Sequence, residues 1–147
     1  SIMFERILVA VDGSESGQEA LEMAIGLQKA HGSELLILTV FRQHTMWTAS
    51  ISMVNPELTG STDSALEEYA KDVAEKGKKY AKQLGVEKVR AFYMGGGPAR
   101  TIVKFSNDHD VGLVVLGSRG LSDSERYLLG SVSHKVTSTS DRPVLVV

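Results

Sequence analysis

The apolar positions of this chain come in short runs separated by stretches with helical spacing. Arg6-Ile7-Leu8-Val9-Ala10-Val11 is apolar on both faces and rich in β-branched residues, and it stops at the turn signal Asp12-Gly13-Ser14. That pattern predicts a buried central strand. Ala20, Leu21, Ala24, Ile25 and Leu27 then recur at helical spacing behind Ser16-Gly17-Gln18-Glu19, which reads as a capping box, and His31-Gly32 closes the helix. Leu35 to Val40 is a second buried-strand run. The stretch from Phe41 to Asp63 has little period and reads as a long loop, with Met46, Trp47, Ile51 and Met53 as apolar anchors. A second capping box, Ser64-Ala65-Leu66-Glu67, opens a helical stripe through Tyr69, Ala70, Val73, Ala74, Gly77, Tyr80, Ala81 and Leu84, ended by Gly85. Val89 to Met94 predicts a third strand. After Gly95-Gly96-Gly97, Pro98 suits the first turn of a short helix carrying Ile102, Val103 and Phe105. Val111 to Leu116 predicts a fourth strand, Gly130 to Ser138 a helix, and Val144 to Val147 a terminal strand.

Strands and helices thus alternate from end to end. Such alternation implies an α/β domain, a mostly parallel sheet with helices on both faces. Ligands of doubly wound sheets bind at the carboxyl ends of the strands, where strand order reverses. The segments to search are therefore Asp12-Gly13-Ser14, the start of the long loop, Gly95-Gly96-Gly97, and Gly117 onward.

Composition narrows the chemistry. The 147 residues suit one domain over 1–147; Met3 reads as a natural start, and Ser1-Ile2 carry no weight. There is no cysteine, which excludes disulfides, thiol catalysis and cysteine-bound zinc and makes a cytoplasmic setting the default expectation. A net charge of -2 lacks the basic footprint of a general nucleic-acid binder, and no apolar run is long enough to insert into a membrane. There is no P-loop, no G-x-S-x-G elbow, and no pair at metal-ligand spacing among His31, His44, His109 and His134.

The strongest chemical signal is Gly117-Ser118-Arg119-Gly120, then nine residues, then Gly130-Ser131-Val132-Ser133. The first pair of glycines leaves a strand end, and Gly130 opens a helix. Glycine permits positive φ and close approach of a ligand, and free amides at a helix N-terminus favour a phosphate. Ser131 and Ser133 could add hydroxyl donors. A tight turn followed by an ordinary serine cap is the alternative reading of either half.

This strand, G-x-x-G, nine residues and G-[S/T] resembles the nucleotide-binding signature of the universal stress protein family. The opening Ile7-Leu8-Val9-Ala10-Val11-Asp12-Gly13-Ser14, the run His109 to Gly117, and the ending Arg142-Pro143-Val144-Leu145-Val146-Val147 are similar to that family as well. The resemblance implies an open, Rossmann-like five-stranded parallel sheet of order 3-2-1-4-5, with Asp12 beside Gly117 at the switch point. It implies ATP (or ADP or AMP) as ligand, accompanied by Mg²⁺ or Mn²⁺. Carried over by position, Asp12 lies near adenine and ribose, Ala10 and Val11 flank the base, and the Val40 backbone contacts adenine. Gly117 and Gly120 line ribose and phosphates, with Arg119 between them, and Leu116 belongs to the nucleotide-binding set. Gly130, Ser131 and Ser133 hold the phosphates, and Val132 supplies an amide. Arg119 as a solvated loop charge, and Asp12 as a turn former only, remain open. The resemblance also implies a homodimer through Val144, Leu145, Val146 and Val147, whose apolar edge would otherwise invite aggregation.

Three functions follow as expectations. The first is a small nucleotide-binding regulatory protein. The second is a slow ATPase or phosphotransferase, for which Asp123 and Glu125 are the candidate bases. The third is a module whose nucleotide gates binding to a protein partner such as a membrane transporter or a signalling component.

Overall fold

The computed structural model describes residues 4–42, 56–120 and 129–147, with 56–63 described by their backbone. The elements are β1 (Arg6–Ala10), α1 (Glu15–His31), β2 (Glu34–Phe41), α2 (Pro56–Gln83), β3 (Val89–Gly95), α3 (Pro98–Asp108), β4 (Leu113–Leu116), α4 (Ser131–Thr139) and β5 (Val144–Val146). The sheet is parallel in every pairing and runs β3-β2-β1-β4-β5, as the resemblance implied. In the central strand, Val9 is registered against Ile37 on one side and Val115 on the other. The chain leaves β1 toward β2 and returns from β3 to β4, so strand order reverses between β1 and β4.

The period-two rule explains why β1, β2 and β4 lack polar residues over their middles. Ile7, Val9, Leu35, Ile37, Leu113 and Val115 pack under α1 and α2. Leu8, Leu36, Leu38, Val114 and Leu116 face the opposite way, under α3 and α4. Both faces are covered, and a strand buried on both faces reads as a continuous apolar run. The α2 stripe works differently from its sequence appearance. Leu66, Tyr69 and Leu84 are exposed, while Ala70, Ala74 and Ala81 are buried. At Gly77 a Cβ would lie 3.5 Å from Ile37 and 3.6 Å from Leu21. Small residues therefore make this contact and bring the helix close to the sheet.

Two helix starts differ from expectation. Ser14, not Ser16, caps α1: its backbone is extended, and its Oγ accepts a hydrogen bond from the Gly17 N–H at 3.1 Å. Ser16 lies within the first turn, where its hydroxyl is available for a tertiary contact. α2 begins at Pro56, so Ser64-Ala65-Leu66-Glu67 lies inside the helix rather than at its start. Proline fits a first helical position because its missing N–H has no partner there anyway. The expected loop shortens accordingly, and Met46, Trp47, Ile51 and Met53 lie outside the described residues. The remaining ends follow the sequence: Gly32 is left-handed at φ 72°, and Pro98 opens α3 behind Gly97.

The end of the sheet away from the switch point is held by Arg142. Its guanidinium donates to Asp110 Oδ1 at 2.8 Å, Asn107 Oδ1 at 3.2 Å and the Val111 carbonyl at 3.3 Å. Asp110 is left-handed at φ 50°, so this clasp secures the one described non-glycine residue in that region.

Candidate functional site

A cleft of about 260 Å³ opens over the carboxyl ends of β2, β1 and β4, on the α3/α4 face. Its walls are built by three chain reversals. The first is the end of β1. Asp12 follows Val11 in a turn in which its Oδ1 accepts from the Ser14 N–H at 2.9 Å and the Ser14 hydroxyl at 2.5 Å. Asp12 is thus a turn former, and it also lines the cleft. Gly17 closes behind it, where a Cβ would stand 3.1 Å from Asp12 Oδ1.

The second reversal follows β4. Leu116, Gly117, Arg119 and Gly120 line the cleft. Packing is enough to require glycine at 117, and its φ is not positive. A Cβ there would meet Ser16 Oγ at 2.4 Å and the Ser16 backbone carbonyl at 2.6 Å. Ser16 Oγ in turn accepts from the Arg119 N–H at 3.2 Å, so the start of α1 fixes the course of the chain after β4. Arg119 is partly buried, and its Nε is buried with no hydrogen-bond partner among the described residues.

The third is the start of α4. Gly130 is the N-cap, with φ -73°, and offers no side-chain cap. Its N–H donates to the Ser118 carbonyl at 2.5 Å. Ser131, Val132 and Ser133 form the first turn and line the cleft; Gly130 itself lies behind them. A first helical turn directs its N–H groups and the positive end of the helix dipole outward. The Ser133 hydroxyl is buried and donates inward, to the Ser118 carbonyl at 2.9 Å, with the Gly130 carbonyl at 3.2 Å. It ties the helix to the loop, leaving the exposed Ser131 as the hydroxyl at the surface of this turn.

The opposite wall is apolar. Leu38 and Val40 share one face of β2, and Pro98 and Ile102 come from the first turns of α3. Arg42 stands in the same period-two row at the mouth. All the site residues expected from sequence line the cleft except Gly130; Gly17, Leu38, Arg42, Pro98 and Ile102 join them. Leu38 and Arg42 were readable by stepping two residues either way from Val40. Pro98 and Ile102 were not, because nothing local says that α3 begins over the end of β2. Asp123 and Glu125 lie outside the described residues.

The cleft divides into an apolar half and a polar, cationic half. Asp12 is its one carboxylate among the described lining residues, and no group of three His, Asp or Glu residues able to hold a metal ion occurs among the described residues. Among the described residues the donor set does not fit a protein-held divalent cation, which needs several oxygen ligands. A second cleft, of about 360 Å³, lies on the other face between α1 and α2 and shares Val11 with the first. There the Tyr69 hydroxyl donates to the Asp12 carbonyl at 3.2 Å, and burial together with the Glu22 carboxylate raises the Tyr80 phenol above its ordinary pKa.

Comparison with known proteins matches this architecture over the full length. A family profile described as "Universal stress protein family" matches residues 3–147. Universal stress protein YxiE of Bacillus subtilis is 37% identical over 148 residues, covering 99% of each chain. The solved structure of MJ0577, a protein of Methanocaldococcus jannaschii also described as a universal stress protein, superposes with a TM-score of 0.83 at 31% identity, covering 99% of this chain and 96% of that one. A universal stress protein solved in complex with cAMP shares the fold, with a TM-score of 0.73 at 24% identity, covering 99% and 97%. With the family profile matched over residues 3–147 and a full-length relative at 37% identity, the chain belongs to the universal stress protein family.

Proposed function

We propose that this protein is a regulatory adenine-nucleotide-binding protein, with ATP, ADP or AMP seated in the switch-point cleft. One observation carries the reading. An apolar wall of Leu38, Val40 and Ile102 faces, across the end of β1, a polar wall made of Gly117, Arg119, Gly120 and the first turn of α4. A planar base suits the first wall and an anionic phosphate chain the second. The protein of this fold solved with cAMP supports the fold's capacity for such ligands; for this chain the support is the cleft itself. We favour binding over turnover because Asp12, the carboxylate in the described lining, is engaged in its own turn, and hydrolysis needs an oriented base or water.

The test is to denature freshly purified protein and identify any released nucleotide by mass spectrometry. Ser131→Asp is the control. A carboxylate at a first helical position favours the helix but repels phosphate. Adenine nucleotide near one per chain, absent from the folded variant, is the expected result. Wild-type protein that is empty and fails to bind added ATP-Mg²⁺ overturns the reading.

We further propose a cytoplasmic homodimer joined through Val144, Leu145 and Val146, with Val147 beyond them. Among the described residues β5 ends the sheet and pairs only with β4, and its three residues are each partly exposed. Pairing across a two-fold axis would cover that edge. Light scattering that finds a monomer at micromolar concentration overturns this part. Gating of a transporter or signalling component by the bound nucleotide would be tested by ATP-dependent capture of that partner. No helix among the described residues is long and apolar enough to cross a membrane.

A further inference from the structure

We infer that the cleft binds nucleotide phosphates without needing a divalent cation, because Arg119, Arg42 and the start of α4 already supply the positive charge. The inference rests on the nucleotide reading above and deepens it.

Sites that present a polyphosphate on Mg²⁺ normally hold the ion through one or two carboxylates as well as the phosphates. Here the described lining offers Asp12 alone, and its Oδ1 is committed to two hydrogen bonds from Ser14 that shape the turn. The cationic side is better provided. Arg119 lines the cleft, with its backbone N–H held by Ser16 Oγ. The guanidinium keeps its charge at any ordinary pH and forks onto phosphate in two-point contact. Arg42, exposed at the mouth beyond Val40 on the opposite wall, adds a second positive charge that acts on the phosphates at longer range than Arg119 does. The first turn of α4 adds the equivalent of about half a positive charge. These charges are covalently part of the protein before the ligand arrives. Free ATP carries more negative charge than its Mg²⁺ complex, so a site of this kind holds the metal-free form at least as well.

The experiment is isothermal titration of ATP into the full chain, once with Mg²⁺ and once with EDTA at matched ionic strength, for wild type, Arg119→Ala and Arg42→Ala. Thermal melts verify that each variant is folded. Wild type is expected to bind within about threefold of the same affinity in both buffers. Arg119→Ala is expected to lose about tenfold or more in EDTA, and to regain part of it with Mg²⁺, since the ion then replaces a missing charge. Arg42→Ala, more exposed to solvent, is expected to lose about threefold in EDTA. A wild-type affinity that collapses by about tenfold or more in EDTA overturns the inference while leaving the nucleotide reading intact. Full wild-type affinity of both arginine variants in EDTA overturns it equally. Absence of binding in both buffers overturns the nucleotide reading, and this inference with it.

Discussion

Gly117→Ala tests most directly how the cleft is built. The added Cβ would lie 2.4 Å from Ser16 Oγ and 2.6 Å from the Ser16 carbonyl carbon and oxygen. Rotating the serine removes only the first contact; the other two are backbone and cannot be relieved by a rotamer change. Comfortable contact between heavy atoms is about 3.5 Å or more, so the end of β4 and the start of α1 must part by about 1 Å. Overpacking of this kind costs about 2 kcal/mol. For a chain of this length that corresponds to a fall in Tm of about 6 °C. The same displacement separates Ser16 Oγ from the Arg119 N–H, so nucleotide affinity falls together with stability. The assay is thermal or urea unfolding, paired with Gly26→Ala. Gly26 is exposed in the middle of α1, and a Cβ there meets nothing within 4 Å. That substitution is expected to stabilise by about 0.5–1 kcal/mol through helix propensity alone. A Gly117→Ala protein that melts within about 1 °C of wild type would refute the reasoning, because a clash with fixed backbone leaves no inexpensive escape. Equal losses from both variants would refute it as well.

Three further outcomes are expected. Ser131→Asp should melt at or slightly above the wild-type temperature while losing bound nucleotide, read by melting and mass spectrometry on the same preparation. The Arg142 guanidinium hydrogen-bonds Asp110 and holds its carboxyl below the usual range; the contribution is complete above about pH 4, the unfolded value, and fades as pH falls through the lowered folded value. Urea midpoints measured from pH 5 downward should therefore fall less steeply in Asp110→Asn, a residue that tolerates the left-handed backbone, than in wild type. Leu36→Ala removes a fully buried side chain from the sheet face under α3 and should cost about 3 kcal/mol, read as a urea midpoint shift without a change in slope.

The sequence by itself determined the order of strands and helices, because burial on both faces writes continuous apolar runs and burial on one helical face writes a repeat of three to four. It also located the turns that build the cleft, since Asp12-Gly13-Ser14 and the Gly117–Gly130 spacing stand at strand ends where local chemistry is strong. Helix starts were less legible. Ser14 and Ser16 are equally good caps by composition, and only the extended backbone at Ser14 separates them. The S-x-x-E pattern at Ser64 satisfies the local rule for a cap yet lies mid-helix, because Pro56 had already begun the turn. What tertiary structure alone decided was the reason for particular residues. Gly117 is glycine because α1 passes against it, and Ser133 turns inward to the Ser118 carbonyl rather than outward. Pro98 and Ile102 become a wall of the cleft because α3 begins over the end of β2. Each of these depends on a neighbour distant in sequence. Spacing along the chain records what a residue's own element requires, whereas a cleft is formed between elements whose relative placement is set by packing.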